Sequence, residues 1–411
     1  MPGSSGTFFS YPLAPIVQSR FVPPVAKYTL PPDLLVKAIH FAQARHALYF
    51  AGFAFSLLVL WAMLRLRLGA RLDRLRAPVY FAAVLAIFGL AGIPIDIAHH
   101  AVSLYFDISI QPWLPWLWDW TKEQVVFAAI GAALLWPFYG LMRRSPRRWW
   151  LWAWLASLPL LVAGVFAGPL VFEPLFNKFT PLSQTRPELV GKIEALLHRA
   201  GVTIPPDRLF EMSASEKTNS LNAYVSGFGS SRRMVLYDTI IRKEDGGPLM
   251  TTIGHELGHY VLNHIPQGLA FTAVLLFFGY FLAYKAATSV VSKWGAVLGM
   301  SSVADRASLP LLLFVALLLS FFSDPIANAF SRRVEHQADI YSLEVCQGVV
   351  PDASQEAARA FQIEGETDLD EPDPNPFIVW WLYSHPPTPD RLRFALTYSP
   401  RNSAGPPRPV P

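Results

Sequence analysis

Residues 251–264 read TTIGHELGHYVLNH. On an α-helix, positions four apart share a face. His255 and His259 can therefore offer two imidazole nitrogens to one metal ion, a donor pair suited to Zn²⁺. Glu256, beside the first histidine, is placed to act as general base toward a water molecule. Gly254 and Gly258 leave room for another element to approach this helix closely. A tetrahedral hydrolytic centre needs a third protein ligand and one open position. A histidine six residues past the second, after a turn glycine, would be one solution. Here those positions are Ile265 and Leu262, and His264 is one residue out of place. The other solution is a glutamate from a later helix, and SRRVEHQAD (331–339) offers Glu335. Asp339, four residues on, shares its face and can hold the free ring nitrogen of a metal-binding histidine. His336 neighbours Glu335 but faces elsewhere on the helix.

Peptide hydrolysis also needs the substrate held extended and its oxyanion stabilised. Asn222, Ala223, Tyr224 and Val225 fit an edge strand able to pair with a peptide backbone. His385 and Arg391, in SHPPTPDR, are candidate donors to the developing oxyanion or to a substrate carboxylate.

These motifs sit in an unusual chain. Only 16% of the 411 residues are charged and 52% are hydrophobic, against about 25% charged in an ordinary soluble domain. The deficit is concentrated in runs long enough to cross a bilayer, which takes about 20 apolar residues. Six such runs are read: 47–64, 77–95, 125–142, 149–172, 268–284 and 309–323, the last extendable to 330. The fold class expected is mainly α, a polytopic helical membrane protein with a small α+β zinc metalloprotease domain. The divisions are a Pro-rich and amphipathic segment (1–46), four spans (47–172), a first protease segment (173–266), two spans (267–330), a second protease segment (331–399) and a Pro-rich tail (400–411). Both ends of the last pair of spans lie on one side, so the two protease segments can assemble together. In the first of them, 187–200 has helical spacing with Leu189, Ile193, Leu196 and Leu197 on one stripe, and 208–212 and 233–237 read as short strands. In the second, 364–376 reads as an acidic, Pro-containing loop. Residues 1–36 lack the continuous apolar core of a cleavable signal peptide. A single cysteine, Cys346, excludes an intrachain disulfide framework. The net charge of +4, with arginines clustered between apolar runs, points to membrane topology and away from nucleic acid.

With NAYVSGFG, HELGH, SRRVEHQADIYS and YSHPPTPDR in this order, the chain resembles the type I CAAX prenyl endopeptidases, a family of integral-membrane zinc proteases. SPRRWWLW (145–152) and PLFNKFTPL (174–182) add to the likeness, which covers roughly residues 30–399. The resemblance implies one zinc ion per chain, bound by His255, His259 and Glu335, with Glu256 as general base. It implies that Asp339 supports the first histidine and that Asn222, His385 and Arg391 contact substrate or transition state. It also implies helices around a large intramembrane chamber. The expected partners are a peptide or protein substrate, prenylated at a CAAX terminus or otherwise membrane-associated, and membrane lipid. Members of the family usually have seven spans, and the one without a counterpart here is the first. A different function, a transporter or lipid-binding protein with a structural zinc site, would draw on Asp96, His99 and His100 near the end of the second run.

Orientation divides the two lines of reasoning. Five arginines lie between spans one and two, four between three and four, and three basic residues between five and six, twelve in all. The other side carries five: Arg20, Lys27, Lys37, Arg45 and Lys122. Basic loops favour the cytoplasm, which puts the zinc domain outside, whereas the resemblance implies a cytoplasmic one.

Overall fold

The six apolar runs become six helices long enough to cross a bilayer. The computed structural model describes residues 24–227 and 232–399; the Pro-rich start, residues 228–231 and the tail from Pro400 lie outside them. The first spans are α1 (Pro32–Arg65), α2 (Ala77–Tyr105), α3 (Trp113–Arg144) and α4 (Trp149–Ala167). The last continues through a π-helical turn and a short helix to Phe176. α1 begins well before its apolar run, because Pro32 suits a first helical turn and 33–46 has no breaker. The most apolar stretches of the six helices bury between none and 28% of their residues, as surfaces facing lipid or an internal space require.

A small α+β layer follows. Strand β1 (Phe179–Pro181) leads to α5 (Pro187–Arg199), then come β2 (Leu209–Met212), β3 (Ala223–Ser226) and β4 (Arg233–Tyr237). The sheet order is β1-β2-β4-β3, with β2 and β4 parallel and both outer pairs antiparallel. Four of the five β4 residues are buried, which suits a central strand. β3 is an edge strand. The buried stripe of α5 is Val190, Ile193, Leu196 and Leu197, with Leu189 only partly covered at its margin.

α6 (Gly247–Val261) carries the two histidines. It ends at a left-handed Asn263 (φ 58°), after which α7 (His264–Leu298) starts in a new direction. α8 (Leu309–Cys346) is one continuous helix that supplies the sixth span and Glu335 alike. α9 (Ala353–Asp368), α10 (Pro376–Leu382) and α11 (Thr388–Thr397) complete the described chain. α9 runs through Glu364 to Asp368, so the acidic segment is helical there and turns only at left-handed Leu369 (φ 56°).

One core unites these pieces. Ile193 and Leu196 of α5, Leu209, Met234 and Leu236 of the sheet, Ile253 and Leu257 of α6, and Tyr341 and Val345 of α8 form a single buried cluster. Each such side chain contributes about 1.5–3 kcal/mol by leaving water, so the sheet and α5 fix α6 from one side and α8 from another.

Candidate active site

Close packing of α6 on α8 decides the site. A Cβ on Gly258 would stand 3.1 Å from both Ala338 Cα and Tyr341 Cβ. On Gly254 it would stand 2.9 Å from Cys346 Sγ. Only hydrogen at these two positions lets the helices approach this far. The contact is pinned by the Ser342 hydroxyl, which donates to Thr251 O at 2.5 Å, and by the buried Cys346 thiol, 3.3 Å from Met250 O.

Across this contact His255, His259 and Glu335 converge, their ligand atoms all within 4.8 Å of one another. His255 Nε2 lies 3.1 Å from Glu335 Oε2 and 3.1 Å from His259 Nε2, and His259 Nε2 is 3.5 Å from Glu335 Oε1. Two ring nitrogens and a carboxylate at such separations present their lone pairs to a common point, an arrangement a bound cation stabilises. The opposite edges of both rings are held. His255 Nδ1 lies 2.9 Å from Asp339 Oδ1, a contact that in the neutral imidazole favours the tautomer with Nε2 free for a metal, and Nε2 is turned to the cluster. His259 Nδ1 is 3.0 Å from His264 Nδ1. The second histidine is thus oriented by another imidazole, which arrives because the break at Asn263 turns the start of α7 back toward it. His264 was out of register as a ligand, and no sequence spacing announces this contact across a helix break.

Arg391 stands behind the first histidine. Its Nε and Nη2 donate to both oxygens of Asp339, at 3.0 and 2.7 Å, and its Nη1 lies 3.8 Å from Glu364. The guanidinium is thereby committed to carboxylates of the chain itself and also covers the Phe361 ring at 4.3 Å. His385 stands in front, 55% exposed, with Nε2 3.2 Å from Glu335 Oε2. His336 points away, exposed and against the Phe394 ring.

The cluster opens on a cavity of about 540 Å³ lined by His255, Glu256, His385 and Arg391 together with Asn222 and Ala223 at the start of β3. Burial pushes the Glu256 carboxyl above its ordinary range, with His255 and His259 opposing. Tyr224 turns away from this cavity. Its hydroxyl donates to Glu173, the carboxylate that Arg233 also meets at 2.6 Å. Asp96 accepts from Trp120 Nε1 at 2.9 Å, and the His100 ring stacks on Trp116 with centroids 4.7 Å apart. Both therefore have local structural partners.

The model of peptidase family M48 matches residues 183–399, more than half of the chain. The chain belongs to peptidase family M48. A second family model, described as the CAAX prenyl protease N-terminal region with five membrane helices, matches residues 17–178; among the described residues that stretch holds four candidate spans. A Bacillus subtilis protein described as the uncharacterized metalloprotease YhfN is 32% identical over 385 residues, 90% of this chain and 87% of its own. CAAX prenyl protease 1 of Saccharomyces cerevisiae is 29% identical over 299 residues, 69% of this chain and 63% of its own. The crystal structure of S. mikatae Ste24p shares the fold, with a TM-score of 0.77 over 92% of each chain at 22% identity. The protein is a multi-pass membrane metalloendopeptidase, and a transporter with a structural metal site is not favoured.

Proposed function

We propose that the metal is zinc, one ion per chain held by His255, His259 and Glu335, and that the enzyme cuts extended, membrane-associated peptides. The observation that carries this is the convergence of two imidazole nitrogens and one carboxylate within 4.8 Å. Two nitrogen donors and one oxygen donor match a hydrolytic zinc centre, which keeps a fourth position open. When bound there, zinc polarises a carbonyl and lowers the pKa of a coordinated water to about 7.

The rest of the reaction falls to the chain. The backbone of Asn222 and Ala223 borders the cavity where β3 leaves its outer edge unpaired, so a peptide added to that edge passes in front of Glu256. Glu256 takes a proton from the attacking water and delivers it to the departing amine. His385, exposed beside Glu335, donates to the carbonyl oxygen as negative charge develops on it. Asp339 and Arg391 are positioning residues: Arg391 holds Asp339, and Asp339 holds the ring of His255. Tyr224 holds the edge strand against Glu173 at the end of the fourth span and does not contact substrate.

Several relatives bear the name CAAX prenyl protease, so a prenylated CAAX tail is the specific substrate to test within the broader class. Glu256→Gln should retain one zinc per chain by metal analysis yet lose on the order of 10²–10⁴ in kcat. A Glu256→Gln enzyme of undiminished activity would overturn the assignment. Cleavage of one peptide with and without its prenyl group separates the substrate classes, since equal rates would remove the lipid from recognition.

A further inference from the structure

We infer that α10 is a membrane-interface element whose Phe377 and Trp380 lie in the headgroup region of the bilayer, and that this contact sets the position of His385. The helix is short and aromatic, with the sequence PFIVWWL. Its inner face is accounted for: Trp381 packs on Phe321 of α8 (centroids 4.8 Å) and faces Phe50 of α1 (6.5 Å). Its outer face is not, as Phe377 and Trp380 are 53% and 49% exposed.

Two spanning helices independently give the depth of that outer face. α8 enters the apolar region after Asp305 and Arg306, and at 1.5 Å per residue about 20 residues cross the hydrocarbon core. That distance ends near Asn328. Asn328 Nδ2 donates to Trp381 O at 2.5 Å, and Arg332, one turn further, donates to Val379 O (3.0 Å) and Tyr383 O (2.5 Å). In α1 the charged residues bounding the apolar run are Arg45 and Arg65, again about 20 residues apart. Phe50 and the Tyr49 hydroxyl, which donates to Asp324, sit just inside Arg45. Both helices thus place α10 where hydrocarbon gives way to water, the level at which aromatic side chains concentrate. The exposed surface is also continuous with the span itself, because Phe322 and Ile326 of α8 are 64% and 55% exposed and the Phe322 ring approaches Trp381. The polar start of the segment, Asp373 and Asn375, is exposed as well, so one end of α10 is wet.

The consequence for the site is direct. Arg332 fixes the end of α10, and two residues past the Tyr383 carbonyl stands His385, 3.2 Å from Glu335. A helix seated in the interface holds that imidazole over the metal ligands, and without lipid the same helix loses that outer support while keeping its packing on α8.

The test uses the full-length protein in phosphatidylcholine vesicles. Cys346 is fully buried, so Phe377→Cys, Trp380→Cys and Asn375→Cys each take a single fluorescent label. Nitroxide-bearing lipids with the quencher near the headgroup should extinguish labels at 377 and 380 more than lipids with the quencher at the chain end, and the label at 375 should lose least. In parallel, Phe377→Ser/Trp380→Ser should lower kcat several-fold in vesicles, to the value both enzymes share in detergent, and Phe377→Trp/Trp380→Tyr should restore it. Labels at 377 and 380 that behave like the one at 375 would overturn the proposal. So would labels shielded from water yet untouched by any lipid quencher, which would mean that a second copy or another segment covers this face.

Discussion

Asp368, the last residue of α9, lines the cavity, where burial favours the neutral form of its carboxyl. Burial first, then the charge of Asp370, pushes its carboxyl from 3.8 up to about 7. The neighbouring Glu364 is likewise pushed up to about 7 by burial, against the pull of Arg391. A folded-state pKa above the unfolded one means that the folded chain binds this proton more tightly. The resulting stability is complete below the ordinary carboxyl range and is lost as pH rises through about 7. At ~1.4 kcal/mol per tenfold change in proton affinity, the loss is on the order of a few kcal/mol. Asp368→Asn keeps the neutral form at every pH. Its melting temperature should pull ahead of wild type as pH is raised from about 5 to about 9, and parallel melting curves would refute the assignment.

At the scale of elements, α6 and α8 act as one unit because two glycines remove the side chains that would separate them. Gly258 faces backbone, Ala338 Cα, which cannot swing aside as a side-chain tip can. Gly258→Val should therefore cost about 1–3 kcal/mol through overpacking, and by pushing α8 outward it should reduce bound zinc, read by metal analysis of the purified protein. Gly191→Ala on α5 is the control, since a Cβ there meets nothing within 4 Å and a helical Gly→Ala change is expected to stabilise by roughly 0.5–1 kcal/mol. Equal zinc content in the two variants would show that the glycine contact does not set the ligand geometry. The edge strand has a separate anchor in Glu173, Tyr224 and Arg233, which ties β3 to the end of the fourth span.

For the whole molecule the open geometry is its direction in the membrane. Arg65, Arg67, Arg71, Arg74 and the four arginines at 143, 144, 147 and 148 are all exposed at the end of the spans away from the metal site, whereas Lys37 and Lys122 at the other end pair with Asp107 and Asp119. Lysines and arginines in short loops favour the cytoplasm whether or not carboxylates lie beside them, and the arginine-rich end carries more of them. By that rule the arginine-rich end is cytoplasmic and the metal site faces outward, whereas the family likeness implies a cytoplasmic site. Single cysteines at Ser384 and Ser145, challenged in intact cells with an impermeant reagent, should show labelling at 384 and protection at 145. The reverse pattern would place the site in the cytoplasm and leave prenylated tails as its natural substrates.

Local periodicity was enough to reveal which residues belong to one helix face. The His255/His259 pair with Glu256, the Glu335/Asp339 pair, the six spans and the strands around 209–212 and 233–237 were all legible because each depends on neighbours within a turn or a pleat. β1 is three residues long and carries no such signal. Contacts between elements behaved differently. Arg391 was a plausible substrate donor by charge alone, but packing of α11 and α9 against α8 commits it to Asp339 and leaves His385 beside the ligands. Tyr224 sat in a motif with Asn222 and Ala223, yet strand pleating sends its side chain to the other face, where Glu173 waits. His264 reaches His259 only because Asn263 takes a left-handed conformation that redirects the chain. Side-chain type and spacing name the donors, while the directions in which those donors point arise from how whole helices pack.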